Sequence, residues 1–391
     1  MSEADQVRTL TEEAFWSRHH RGRRDNPHEV TAEQLGISGG GGTPAPGVSL
    51  LRYHPRWRSA DTTTISGLIG SGKWSGGVLG PDGKIYGIPS DSESVLIIDP
   101  VAGTADTTTI TGLAGTYKWQ GGVLGPDGKI YGIPSDSESV LIIDPVAGTA
   151  DTTTITGLVG EAKWQGGVLG PDGKIYGIPL MSESVLIIDP VAGTADTTTI
   201  TGLVGEAKWQ GGVLGPDGKI YGIPLMSESV LIIDPVAGTA DTTTITGVTA
   251  GGYGYKWDGG ILGPDGKIYG IPTDSESVLI IDPVAGTADT TTITGLVGGV
   301  KWSGGVLGPD GKIYGIPQRS ESVLIIDPVA GTADTTTITG LAGTYKWQGG
   351  VLGPDGKIYG IPSDSESVLI LTGGMPTMPI EPLLSPYLNK Y

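Results

Sequence analysis

Val, Leu and Ile return along this chain in short blocks, such as Val140-Leu141-Ile142-Ile143, separated by runs of Gly, Pro, Asp, Ser and Thr. No block shows the 3.6-residue recurrence of an amphipathic helix, so the pattern predicts short strands joined by turns. The stretch from Trp119 parses into four: strand A over 119–125, B over 129–133, C over 139–144 and D over 151–158. Between A and B lies Gly-Pro-Asp-Gly-Lys. There Pro sets φ for the first turn position, Asp favours the second, and Gly accepts the left-handed conformation that closes a hairpin. Between C and D, Asp-Pro-Val-Ala-Gly-Thr reads as another turn. Strand C is apolar on both faces, which predicts a sheet sandwiched between neighbouring sheets. The Gly121-Gly122 pair suits an innermost strand on a crowded axis.

This unit returns almost letter for letter. Its Trp falls at Trp74, Trp119, Trp164, Trp209, Trp257, Trp302 and Trp347, every 45 residues except for 48 between Trp209 and Trp257. Such a period is that of four-stranded propeller blades. The array is out of phase at its ends. The last unit stops at Val368–Leu371 with no strand D of its own, whereas the first recognisable strand, Ala60–Leu68, is an orphan strand D. Pairing Asp61–Leu68 with Val368–Leu371 would complete the last blade and remove two unpaired edges. The expected fold is an all-β, seven-bladed β-propeller of four-stranded antiparallel blades, closed by the N-terminal strand. Residues 1–38 read as an N-terminal segment that is either partly helical, with a helix over 3–20 and a short turn over 31–35, or disordered. Residues 39–59 read as a linker, 60–371 as the propeller and 372–391 as a C-terminal tail with Leu383, Leu384, Tyr387 and Leu388 as rim-docking residues.

Composition narrows the chemistry. The chain has no cysteine, and all four histidines (His19, His20, His28, His54) precede the repeats. The propeller thus lacks the side chains for Ser-His-Asp or Cys-His catalysis and for His-ligated metals. Asp recurs in turns, where it is a structural residue far more often than a calcium ligand, so no metal or cofactor is expected. The net charge is −18, yet residues 1–59 hold eight Arg against seven Asp and Glu, so the propeller carries the negative charge. An acidic body disfavours nucleic acid and anionic membranes and points to neutral or basic partners. No signal peptide or spanning segment is legible, and a cytoplasmic monomer is expected.

The run Trp119 … Leu124-Gly-Pro-Asp-Gly-Lys-Ile-Tyr131-Gly-Ile resembles propeller families with a Pro-Asp-Gly turn followed by an aromatic. These include NHL-type and streptogramin-lyase-type propellers, and the run also resembles tachylectin-type sugar-binding blades. The resemblance spans residues 60–371. A streptogramin-lyase likeness implies a catalytic His in the propeller, which this sequence lacks.

Differences between the copies are one-sided. The A–B and C–D turns are fixed. Variation collects in the D–A connection with the residue after Trp (Ile69-Gly-Ser-Gly, Ala114-Gly-Thr-Tyr, Val159-Gly-Glu-Ala, Val297-Gly-Gly-Val), and in the B–C loop (Ser90-Asp91, Leu180-Met181, Thr273-Asp274, Gln318-Arg319). In an up-and-down blade these two places share one face, and binding residues concentrate on variable loops of a rigid scaffold. Loops also vary simply because they tolerate change. The symmetry breaks most at the insertion ending in Tyr253 and Tyr255, beside Asp258, and at Arg319, the propeller's single arginine. The seven Trp either pack between blades, the commoner fate of a large aromatic, or form a ring that stacks on ligands. The Lys before each Trp is expected to point into solvent. These features together predict a non-catalytic scaffold binding a protein or peptide on the D–A/B–C face. A multivalent lectin with one glycan site per blade is the alternative, and a metal-assisted hydrolase or lyase is disfavoured.

Overall fold

The computed structural model describes residues 56–249 and 254–374. The N-terminal segment, most of the linker, Tyr253 and residues 375–391 of the C-terminal tail lie outside the described residues. Within them the chain is all-β: seven four-stranded antiparallel sheets, each laid out in the order A-B-C-D, with no helix among the described residues. We number blades 1 to 7 from Trp74 to Trp347.

Blade 3 shows how the sequence builds each unit. Its strands are Trp164–Leu169, Ile175–Pro179, Leu186–Asp189 and Thr194–Asp196. The A–B hairpin is closed by Gly170 N–H donating to Lys174 O at 2.8 Å, and Gly173 turns with φ +78. Strand A carries a bulge between Trp164 and Gly167. The bulged Gly166 has φ +73, and a Cβ there would stand 2.9 Å from Gly211 Cα of the next blade. Only glycine allows the seven inner strands to meet at this distance. Outside them, each blade boundary is a layer of apolar side chains. At the boundary of blades 2 and 3, Ile133, Val140 and Ile142 pack on Trp164, Ile175, Leu186 and Ile188. Each such fully buried aliphatic contributes about 1.5–3 kcal/mol.

Strand D departs from the expected 151–158. It spans Thr149–Asp151 in blade 2 and ends where it was expected to begin. The Asp151 carboxylate captures Thr153 N–H at 2.6 Å and Oγ1 at 2.8 Å and Thr154 N–H at 3.2 Å, bending the chain out of the ladder. Past the bend the segment still follows strand C loosely, through Val140 N to Ile155 O at 3.0 Å and Leu158 N to Glu138 O at 2.9 Å.

The ring is closed. The first strand, Arg56–Asp61, lies beside strand C of blade 7, Leu369–Gly374, as that sheet's fourth strand. The contact continues through Val368 N to Ile65 O at 3.0 Å, Leu68 N to Glu366 O at 2.9 Å and the Ser66–Ser367 bridge. The clasp therefore joins the expected partners, but its regular strand starts at Arg56, within the stretch read as linker. Blade 1 packs on blade 7 as other neighbours pack, with Trp74, Ile85 and Leu96 against Tyr359, Ile361 and Val368.

Candidate functional site: the loop face and its axial mouth

The seven Trp side chains pack between blades, at 0–3% exposure. Each indole N–H donates to the carbonyl of a Ser in its own blade's B–C loop, as Trp119 Nε1 does to Ser139 O at 2.7 Å. None of them presents a ring face to a ligand. The preceding lysines are a correction to the sequence reading. Lys73, Lys118, Lys163, Lys208, Lys256, Lys301 and Lys346 are 3–8% exposed rather than solvated. Lys118 Nζ reaches back across the blade boundary to Ser90 O at 2.6 Å and Ser92 O at 3.1 Å, and also bonds Gly115 O at 2.8 Å. Burial pushes the Lys118 ammonium below its ordinary value, against the pull of Asp91 and Glu93, and takes Lys301 and Lys346 down to about 8. The ammonium also sits 5.8 Å over the Trp119 ring.

These lysines fasten the B–C loop of one blade to the D–A connection of the next, so the two variable segments meet across each boundary. The second B–C loop residue then meets a left-handed residue of its neighbour. Asp91 Oδ1 accepts from Tyr117 N at 2.7 Å, and Asp136, Asp274 and Asp364 repeat this with Ala162, Val300 and Gly72. Tyr117, Ala162 and Val300 have φ of 48, 45 and 52. Blade 3 replaces the carboxylate by Met181, whose Sδ stands 3.1 Å from Ala207 N. At blade 6, Arg319 stacks 4.2 Å over the Tyr345 ring and bonds its hydroxyl.

Exposed apolar side chains recur around the whole ring, Ile69, Tyr117, Val297 and Tyr345 among them, but blades 3 and 4 add Met181 and Met226 from the B–C loop. Val159, Met181, Val204, Met226 and Tyr255 occupy successive loops of blades 3 to 5, with Val159 73%, Met181 41%, Met226 47% and Tyr255 50% exposed. What sets blades 3 and 4 apart is the pair Met181 and Met226, which stand where the other B–C loops carry Asp91, Asp136, Asp274, Arg319 and Asp364.

Asp258 does not join that rim. It belongs to a second feature, at the axis. The residue after each Trp lines a mouth of about 110 Å³, formed by Ser75, Gln120, Gln165, Gln210, Asp258, Ser303 and Gln348. Strand A begins on the loop face, so the mouth opens there. Ser303 Oγ donates to Asp258 Oδ2 at 2.6 Å. Burial raises the Asp258 carboxyl to about 6, against hydrogen bonds from Ser303 and Gln210 that lower it. Tyr255, Asp258 and Arg319 are thus distributed over rim, axis and a later blade boundary, while Tyr253 lies outside the described residues. Among the described residues no group of three His, Cys, Asp or Glu is placed to hold a metal ion.

No family model matches the chain, and no curated protein matches it. Solved structures do. A streptogramin B lyase is 12% identical over 81% of this chain and 98% of its own, with a TM-score of 0.64. Virginiamycin B lyase from Staphylococcus aureus is 12% identical over 80% of this chain and 99% of its own, also at 0.64. Kuenenia stuttgartiensis hydrazine synthase is 18% identical over 77% and 96%, at 0.59. At these identities the likeness is one of fold: the chain is a seven-bladed β-propeller, similar in architecture to the streptogramin-lyase type.

Proposed function

We propose that the protein is a non-catalytic scaffold that holds a protein or peptide on its D–A/B–C face, chiefly over blades 3 to 5. The observation that carries this is the exchange of Asp for Met181 and Met226. An Asp at that position satisfies the neighbouring left-handed N–H with a charge-assisted bond, as Asp136 does for Ala162 at 2.7 Å. Met181 offers only a thioether and leaves apolar surface in water, which folding does not require. Methionine suits a docking surface, because its unbranched side chain adapts to a partner's shape. The adjoining Val159, Val204 and Tyr255 extend the same apolar arc. The propeller has no His or Cys, and its seven buried lysines are engaged with carbonyls, which supports binding over catalysis.

The test is peptide selection on the whole protein, followed by affinity measurement against two variants. Met181→Glu with Met226→Glu should weaken selected peptides at least about tenfold, as loss of central apolar contacts does. Val146→Asp with Val236→Asp, on the opposite face, should leave them unchanged. Peptides that lose affinity only to the second variant would place recognition on the wrong face and end the proposal.

A further inference from the structure

The axial mouth has an unbalanced set of hydrogen-bonding groups. All seven side chains around it are polar, and one is a carboxylate. Gln165 Nε2 donates to Gln120 Oε1 at 2.5 Å, and Ser303 Oγ donates to Asp258 Oδ2 at 2.6 Å. Gln165 Oε1 is hidden from solvent and accepts nothing, an arrangement that ordinarily costs about 1–3 kcal/mol. Among the described residues, no cation lies within ion-pair distance of Asp258. The lysines of the surrounding blades are committed elsewhere: Lys208 to Leu180 O and Gly205 O, Lys256 to Ser227 O, and Lys301 to Thr273 O, Ser275 O and Gly298 O. Below the mouth the wall is the glycine ring, to which Ile261 adds one apolar side chain. The site therefore presents one negative charge and an open carbonyl acceptor, and lacks a positive donor.

We propose that this mouth receives a single primary ammonium group, with Asp258 taking its charge and Gln165 Oε1 one of its protons. The group is borne either by a lysine or amino terminus of the partner on this face or by a free amine; the first form rests on the function proposed above. Other ligands fit less well. A divalent cation such as calcium takes six to eight oxygens, usually with several carboxylates, and here there is one. A guanidinium seeks both oxygens of a carboxylate, but Ser303 occupies Oδ2. A quaternary ammonium needs aromatic faces, and the mouth has none. Anions meet Asp258.

The groups facing Asp258 from adjacent blades are the Gln210 amide and the Ser303 hydroxyl, neither of which titrates; Lys256 and Tyr255 precede it on its own connection. Occupancy should therefore fall as Asp258 takes up a proton below about pH 6.

The whole protein is titrated with methylammonium at pH 7.5 and constant ionic strength, reading the carboxyl carbon shift of Asp258 by NMR. Saturable binding is expected, with tetramethylammonium, which has the charge but no N–H, at least about tenfold weaker. Asp258→Gln, which removes that signal and is therefore compared with the wild type by calorimetry, should also weaken methylammonium about tenfold, and Gln165→Ser should weaken it severalfold while leaving the Asp258 signal observable. Both substitutions place a residue that other blades already carry there, so the fold is retained. Competition by an acetyl-lysine amide with a free ε-amine, but not by its ε-acetylated form, would assign the ligand to a lysine. Binding of methylammonium without such competition would assign it to a free amine. Equal binding of tetramethylammonium, or undiminished binding to Asp258→Gln, overturns the inference. Either result leaves the Met181/Met226 test of the rim untouched.

Discussion

On the turn face each blade satisfies its own polar groups, whereas on the loop face the lysines and B–C loop aspartates also bond across to a neighbouring blade. In blade 3 the turn-face Asp172 accepts from its own Lys174 N at 3.2 Å and its own Tyr176 hydroxyl at 2.9 Å, and Asp189 accepts from its own Val191 and Ala192. Each of these bonds needs the Asp side chain, and one needs the Tyr176 hydroxyl as well, so those letters are fixed. Across the loop face, the invariant Lys reads backbone carbonyls, which any residue supplies. That difference explains fixed turns and variable loops without invoking a ligand. Ligand recognition is needed only for what remains: the choice of exposed methionine where Asp would bond better, and of a lone carboxylate on the axis.

The comparison breaks first at the lysines. Lys118→Met keeps the stem but leaves Ser90 O, Ser92 O and Gly115 O without their donor. We expect a loss of about 3 kcal/mol in denaturant unfolding, as for removal of a buried charged hydrogen-bonding group. Asp91→Ala, at the same boundary, should lose no more than about 1 kcal/mol, since its carboxylate is only partly buried. If Asp91→Ala proves the more harmful, side chains rather than carbonyls hold the loop face, and the account of its variability fails.

A smaller effect is expected on the turn face. Tyr176→Phe removes one hydroxyl bond to Asp172, which water can replace, at about 1 kcal/mol. Because that bond is internal to a blade, Tyr131→Phe should lose the same amount. Unequal losses would show that the turn face also depends on its neighbours.

Much of this was legible in the sequence. The 45-residue period and the out-of-phase ends state the blade count and the clasp, because a closed ring leaves no strand unpaired. The Trp burial follows from size alone. Strand D was misplaced because the Thr-Thr-Thr run has high β propensity, yet Asp151 bonds locally before the ladder can continue. The lysines were misjudged because Lys is rarely buried. A signal was present: Lys persists in all seven copies while the residue before it changes from Gly72 to Tyr117, Ala162 and Val300. The axial position of Asp258 needs the bulge in strand A, which turns the residue after Trp inward, and no spacing rule announces that bulge.

The next prediction sharpens the residual left after the carbonyl argument. Met181→Asp should give Ala207 N the acceptor that Asp136 gives Ala162, raising stability by about 0.5 kcal/mol. Selected peptides should bind this variant more weakly. A variant that is both less stable and unaltered in binding would make Met181 a packing residue and remove the reason for placing the partner over blades 3 to 5.

The smallest effect separates axis from turn face by the sign of its pH dependence. Asp258 is raised in the folded protein to about 6 from an ordinary 3.8. The folded state therefore binds this proton more readily than the unfolded chain. Its charged form burdens the fold above about pH 6, and that burden is relieved as the pH falls toward 4. Asp106, Asp151 and Asp196 are held down to about 2 by bonds from Thr109, Thr154 and Thr199 respectively, so their contribution is present above about pH 4 and lost on the way to 2. These three are only partly buried, and solvent screening keeps each contribution modest. Between pH 7 and 5 the melting temperature of the wild type should rise by about 1–2 °C relative to Asp258→Gln. Below pH 4 both should fall together, because the turn-face aspartates are common to them. Parallel curves from pH 7 to 5 would mean that Asp258 is fully hydrated, and the axial mouth would then be an open rim position like any other.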